Sequence, residues 1–325
     1  MPSNNPKLSV ILPAYNAENY VEEAISSILG QTFEDFELLI ADDASKDNTR
    51  NVINSFQDKR IRQYHNEFNK GKSQTVNDLF EKCHGDYVTI HDADDFSELK
   101  RFEHQILWLD HNEDYKFCGT FYKTVDQAGK LFSENRLKTS WDEILESLHL
   151  SGRFHGPTVI FRREILEELD EIYRLYFNDN YEDVDLILRI ISNGHKGVNL
   201  DQFLYNYRIL EDSLCRKEVT VKNRNLFKIA IELYFQRKKL GFDYLMNNQP
   251  ELVEELFLEI TKEYRKDKSK IHREAAAYFN YWKFYDRAVN ESFKAFIKSP
   301  FNLENIKTLL FCFKKMLWSK SFSRQ

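Results

Sequence analysis

Four short strand-like runs alternate with helical segments over the first ninety residues, and this constrains the chain more than any other feature. The runs are Lys7 to Leu12, Phe36 to Ala41, Ile61 to Tyr64 and Asp86 to His91. Between the first two, Tyr20, Val21, Ala24, Ile25, Ile28 and Leu29 recur at helical spacing, and further helices are expected after Ser45 and Asp47 and from about Ser73 to Lys82. Strands and helices alternating at this spacing predict parallel βαβ units with right-handed crossovers, and so an α/β fold with a mostly parallel, doubly wound sheet. Ligands of such sheets bind beyond the carboxyl ends of the strands. Polar residues stand at three of those ends: Tyr15-Asn16 after Pro13-Ala14, Asp42-Asp43, and Asp92-Ala93-Asp94-Asp95. They are expected to meet in one crevice.

Three carboxylates within Asp92 to Asp95 repel one another unless a positive charge sits among them. Oxygen-only ligands suit Mg²⁺ or Mn²⁺ rather than zinc. A plain acidic turn capping the next helix reads the same in isolation. Further along, helices are expected at about 99–111 and 141–150. Strands are expected at 116–125, with a turn at Gln127–Gly129, at 157–161, entered through His155-Gly156, and at 203–209. A helix from Asn180 to Ile191 begins with Glu182, Asp183 and Asp185, where the helix dipole favours negative charge.

Charge divides the chain in two. Residues 216–325 carry 23 Lys and Arg against 13 Asp and Glu, whereas residues 1–215 carry 23 against 39. We therefore expect a domain at 1–215 and a helical region at 216–325. The acidic first part argues against nucleic acid as a partner. The four cysteines are scattered without metal-ligand spacing, which suits free thiols in a reducing compartment. No run approaches the ~20 apolar residues of a membrane span, and none resembles a secretory leader, so a cytoplasmic location is expected.

In this order and spacing the motifs resemble those of family 2 glycosyltransferases over residues 1–215. The residues that carry the resemblance are Pro13-Ala14-Tyr15-Asn16, Asp42-Asp43-Ala44-Ser45 with Asp47, Asn69-x-Gly71 with Asn77, Gly85-Asp86-Tyr87 leading to Asp92-Ala93-Asp94-Asp95, and Glu182-Asp183 with Asp185-Leu186 and Arg189. The resemblance implies a GT-A type fold and transfer of a sugar, with inversion, from a nucleotide-sugar to a hydroxyl of a glycan or lipid-linked acceptor, in the setting of bacterial surface polysaccharide synthesis. It implies that Tyr15 stacks on the nucleobase and that Asp43 bonds a uracil ring nitrogen. An aromatic face plus one acceptor suits uracil, so the expected donor is a UDP-sugar. Pro13, Asn16, Asp42, Asn69, Lys72 and Asp92 would border the donor, and Lys72 would offset diphosphate charge. Asp94 would hold Mn²⁺ or Mg²⁺. Asp183 would be the base that takes the acceptor proton, with Glu182 orienting the site and Asp185 and Arg189 paired one turn apart. His155 and Thr158 would lie on the acceptor side. Asp42-Asp43 also reads as a turn and helix cap, Lys72 as a solvated loop lysine, His91 as a strand-end histidine, and His155-Gly156-Pro157-Thr158 as a structural turn. A nucleotide-sugar-binding or scaffold protein that keeps the fold without catalysis is the rival reading.

In the last 110 residues Ala276, Phe279, Ala288, Ala295 and Pro300 match one tetratricopeptide-like helical hairpin. Leu303 to Lys320 reads as a basic amphipathic helix with Leu303, Ile306, Leu309, Leu310, Phe313 and Leu317 on one stripe. Such a helix suits peripheral contact with an anionic membrane at the inner face of the cell, and equally suits docking on the helical region.

Overall fold

The structure is a computed structural model, and it describes residues 5–150, 153–178, 180–211 and 219–322. Cys215 and the expected boundary at 215/216 lie outside the described residues. The chain divides into one unit of residues 1–209 with 230–242 and a second of 210–229 with 243–325.

The first unit runs β1 (Leu8–Ala14), α1 (Val21–Leu29), β2 (Phe36–Asp42), α2 (Thr49–Ser55), β3 (Ile61–His65), α3 (Lys72–Phe80), β4 (Tyr87–Ile90) and β5 (Phe96–Ser97). It continues with α4 (Arg101–His111), β6 (Tyr115–Val125), β7 (Leu131–Asn135), α5 (Trp141–Glu146), β8 (Ile160–Arg162), α6 (Arg163–Leu166), α7 (Glu182–Ser192) and β9 (Lys196–Arg208). The sheet order is β3-β2-β1-β4-β8-β6-β9-β5, with β7 beside β6. The first four strands pair in parallel. β8 is antiparallel to both neighbours, and β6 and β9 pair in parallel. Every residue of β1 and β2 is buried, as expected for parallel strands covered on both faces. Leu8, Val10, Leu12, Leu38 and Ile40 form one core with Val21, Ala24, Ile25 and Ile28 of α1 and Phe102, Ile106 and Leu109 of α4.

Four elements depart from expectation. The segment from 157 opens as a 3-10 turn, Gly156–Thr158, and becomes a strand only at Ile160. Pro157 has no amide to give a ladder, and the Thr158 hydroxyl donates to the His155 carbonyl at 2.7 Å, closing the turn. β9 begins at Lys196, seven residues before the expected 203, because register shifts against β6 break its alternation. The short β5 and the β7 hairpin were not expected, although the turn before β7 was. There the Gly129 amide donates to the Asp126 carbonyl at 2.9 Å.

Gly85 shows why one motif glycine is required. A Cβ there would lie 2.5 Å from the Ser9 backbone nitrogen and 2.7 Å from the Leu8 carbonyl carbon. Its amide donates to Ser9 Oγ at 2.9 Å, and Ser9 Oγ donates to Glu37 Oε1 at 2.7 Å.

In the second unit, helices Lys270–Tyr281 and Tyr285–Lys298 carry the hairpin pattern, and Ala275, Ala276, Phe279, Ala288 and Cys312 form its core. Helix Leu303–Phe322 follows. Among the described residues Cys83, Cys118 and Cys312 are free thiols, all buried.

Because backbone atoms cannot yield as a flexible side chain can, Gly85→Ala should destabilise the fold by about 2 kcal/mol. Urea unfolding should show a lower midpoint with an unchanged slope, and an unchanged midpoint would refute the packing argument.

Candidate functional site

The loops after β1 and β2 are tied together. The Asn16 amide donates to Ser45 Oγ at 3.0 Å, and Asn16 Oδ1 accepts from the Lys46 amide at 2.8 Å. Tyr15 beside them is 41% exposed, so its ring face is open for stacking. Asn16 and Ala44 both adopt the left-handed backbone, at φ 49° and 58°, without being glycine. Such conformations persist only where surrounding contacts hold them, and they concentrate at functional sites.

The two strand-end aspartates point to different work. Asp42 Oδ1 accepts from the Ser45 amide at 3.2 Å, which makes it a turn residue. Asp43 holds the loop before α3: one oxygen accepts from Asn66 Nδ2 at 2.7 Å and the Lys70 amide at 2.9 Å, the other from the Gly71 amide at 2.9 Å. Asn69 Nδ2 adds a bond to the Asp43 carbonyl at 3.2 Å. Pro13 is buried within β1 opposite Ala41, so it shapes the strand end and offers no open face to a donor.

Beyond β4 the carboxylates of Asp92, Asp94 and Asp95 lie within 4.8 Å of one another. Their environments differ. Burial pushes the Asp92 carboxyl up, but the Lys72 ammonium at 2.8 Å from Oδ1 outweighs this and holds it below the usual carboxylate range. Asp95 is almost wholly buried, and burial with the neighbouring Asp94 and Asp92 charges pushes it well above that range. Its Oδ1 accepts from the Arg208 amide at 2.7 Å, while Arg208 Nε donates to the Asp94 carbonyl at 2.9 Å. Arg208 Nη1 also donates to the Gln127 carbonyl at 2.9 Å, and Nη2 pairs with Glu23 of α1. One arginine thus fixes the floor to the end of β9, to the β6–β7 turn and to α1.

His91 is fully buried, bonded through Nδ1 to the Asp92 carbonyl at 2.8 Å and through Nε2 to Ser97 Oγ at 3.1 Å. Burial and the Arg101 charge depress it to about 3, so it is a neutral strand-end histidine. Arg101 itself is completely buried and donates to Thr89 Oγ1, the Pro157 carbonyl, Ser97 Oγ and Gln105 Oε1 at 2.7–3.1 Å.

The opposite wall is the start of α7. Tyr181, just before it, is left-handed at φ 64°. Glu182 and Asp183 are both pushed up, first by burial, with Lys72 pulling them down. Asp183 Oδ1 accepts from the Val184 amide at 2.8 Å. Its Oδ2 lies where a Cβ on Gly156 would come within 2.2 Å, so only glycine leaves room for this carboxylate. Lys72 Nζ reaches Glu182 Oε1 at 3.3 Å as well as Asp92. Burial works against its charge, yet Asp92 and Glu182 hold it well above the usual lysine value. It is therefore no solvated loop lysine. Asp185 and Arg189 form the expected pair at 2.9 Å, both buried, and Arg174 approaches Asp185 at 3.7 Å. Asn77 exchanges two 2.9 Å hydrogen bonds with the backbone of Tyr173, a buried tyrosine that senses Lys72, Asp183 and Glu182.

His155 stacks on Tyr122 with centroids 4.1 Å apart, and burial depresses it to about 4. Its Nε2 is buried and has no hydrogen-bond partner among the described residues. Thr158 is completely buried, and its hydroxyl is taken by the His155 carbonyl and the Thr120 amide at 3.3 Å. Thr158 thus closes the turn beneath His155. Arg101, Tyr173 and Arg208 were not anticipated. Arg101 had a legible signal, since it shares the helical face of Phe102, Gln105, Ile106 and Leu109, where a charged residue must be buried.

The glycosyl transferase family 2 model matches residues 9–170. A UDP-Glc:alpha-D-GlcNAc-diphosphoundecaprenol beta-1,3-glucosyltransferase of Escherichia coli, WfgD, is 37% identical over 212 residues, covering 64% of this chain and 79% of that protein. A GalNAc(5)-diNAcBac-PP-undecaprenol beta-1,3-glucosyltransferase of Campylobacter jejuni is 27% identical over 297 residues, or 89% of this chain and 88% of its own. Among solved structures, TarS 1–349 of S. aureus in complex with UDP-GlcNAc superposes with a TM-score of 0.61 at 16% identity, covering 96% of this chain and 92% of that one. The strand-end loops, the carboxylate floor and α7 thus lie in an enzyme of glycosyl transferase family 2, with a GT-A type sheet and a helical C-terminal region.

Proposed function

We propose that this chain transfers a sugar, with inversion, from a UDP-sugar to a hydroxyl of a lipid-linked glycan in surface polysaccharide synthesis. One observation carries the reading: Lys72, Asp92, Glu182 and Asp183 interact in one polar crevice at the carboxyl ends of the parallel strands. The two undecaprenol-linked glucosyltransferases support a lipid-linked acceptor and make UDP-glucose the first donor to test.

Tyr15 offers the stacking face. Asp43 is already engaged by the 66–71 loop, but a carboxylate accepts about four hydrogen bonds, and three side-chain acceptances leave room for a uracil N–H. The residues of the floor fit a hard divalent cation. Three carboxylates and no nitrogen or sulfur make up the donor set. Asp94, with Asp92 beside it, would hold Mn²⁺ or Mg²⁺, which when bound neutralises charge on the departing diphosphate. In the displacement the acceptor oxygen bonds to the anomeric carbon as the carbon–oxygen bond to UDP breaks, its electron pair leaving with UDP. Asp183 takes the acceptor's proton. Burial lifts its proton affinity towards that of a working base, and Gly156 and the Val184 amide fix its position.

The helical region supports work at the inner face of a membrane. No helix among the described residues is long and apolar enough to cross one. Yet Phe301 is 97% exposed, and Leu303, Leu310, Phe311, Phe313 and Leu317 are exposed with it. Between 293 and 318 five lysines face a single acidic residue, Glu304. An apolar stripe flanked by lysines fits an anionic lipid surface through residues 303–320.

Titration calorimetry with UDP should show binding that requires Mn²⁺ or Mg²⁺ and is lost in Asp94→Ala; equally tight binding without metal would overturn the cation's role. Asp183→Asn should keep UDP binding while transfer from UDP-glucose to a diphospholipid-linked N-acetylglucosamine falls by at least about a hundredfold. Normal turnover in that variant would place the base elsewhere. Full-length protein should float with phosphatidylglycerol vesicles at low salt, and Leu310→Glu/Leu317→Glu should not. Equal behaviour of the two would remove the membrane contact.

A further inference from the structure

Lys72 has been assigned so far only as a neighbour of the donor diphosphate. Its contacts assign it more. The ammonium sits between Asp92, on the donor floor after β4, at 2.8 Å, and Glu182, the first residue of α7, at 3.3 Å. The other loop lysine, Lys70, turns away to Asp78 at 2.6 Å, so of this pair only Lys72 serves the crevice. Lys72 is itself the first residue of α3, and the two amides before it in the chain, those of Gly71 and Lys70, are gripped by Asp43. A continuous set of contacts therefore runs from the nucleobase end of the crevice through Asp43 and the 70–72 backbone to the Lys72 ammonium. From there it reaches Asp92 on one side and Glu182 on the other.

We propose that Lys72 is a positioning residue that joins the donor floor to the acceptor-activating carboxylates, its ammonium bridging Asp92 and Glu182 and so fixing the start of α7 where Asp183 stands. The inference rests on the glycosyl-transfer reading for its catalytic consequence but not for the bridge. Without Lys72, the like charges of Asp92, Glu182 and Asp183, with Asp94 and Asp95 beside Asp92, would repel across the crevice, faced by Tyr173 and by the neutral His91 and His155. The start of α7 would then move or its carboxyls would hold their protons.

The sign of the expected change is fixed. A cation beside a carboxyl favours the ionised form, so its loss raises the pH at which Glu182 and Asp183 ionise, and the acidic limb of the rate profile moves up. Two readouts test this with probes in hand. Carboxyl-carbon NMR, with the Glu182 signal assigned from Glu182→Gln, follows ionisation without any turnover. The pH profile of kcat/KM for UDP-glucose hydrolysis follows the base. In Lys72→Met the Glu182 midpoint should rise by about one unit or more, the acidic limb should rise with it, and Lys72→Arg should restore both. Where Lys72→Met alone does not fold, Lys72→Met/Asp92→Asn removes one charge of each sign, and its Glu182 midpoint should exceed that of Asp92→Asn. If Lys72 serves only the diphosphate, UDP affinity falls while the midpoint and the limb stay put, and the bridge is overturned. Should UDP-glucose not be turned over at all, glucose is overturned as the donor sugar, while the NMR midpoint still decides the bridge.

Discussion

The first unit is organised around a concentration of like charge. Asp92, Asp94 and Asp95 end one strand, and Glu182 and Asp183 begin the helix across from them. Such a set cannot be held in a partly buried crevice by packing alone, because each added carboxylate raises the cost of ionising the rest. The fold answers with fixed positive groups at different depths. Arg101 lies beneath the floor and is itself depressed to about 10 by burial. The Arg208 amide donates to the Asp95 carboxylate and its guanidinium to the Asp94 carbonyl, and Lys72 stands between the two walls. The Asp95 carboxyl is pushed up first by burial and then by the Asp94 and Asp92 charges.

The alternation of strands and helices made the parallel half of the sheet legible, since β1 and β2 are continuous apolar runs that only a doubly covered strand explains. The second half was harder to read. β9 carries Asn199, Asp201 and Gln202 through its first half and changes register against β6, so no period of two survives there. The hydroxyl of Thr158, next to a glycine-proline turn, looks the same in sequence whether it faces a ligand or closes the turn. Pro13 is similar: a proline suggests a strand end, yet β1 pairs with β2 one residue further, through Ala14.

The carboxylates were legible as a group, but their division of labour was not. Nothing in the spacing of Asp42 and Asp43 says that the first shapes its own turn while the second holds a loop more than twenty residues away. Nor does Asn77 announce that it pins the Tyr173 backbone. These roles depend on which loops the sheet order brings side by side, and that order appears only when β4 inserts next to β1 and β8 next to β4.

The clamp that Asp43 places on the 66–71 loop bears on how nucleotide preference can drift in such a chain. One carboxylate serves both as a candidate reader of the base and as the anchor of the backbone that aims Lys72. A substitution that admitted a different base would also release the loop. Adaptation to another donor therefore requires paired changes, one in the base contact and one that restores the anchor.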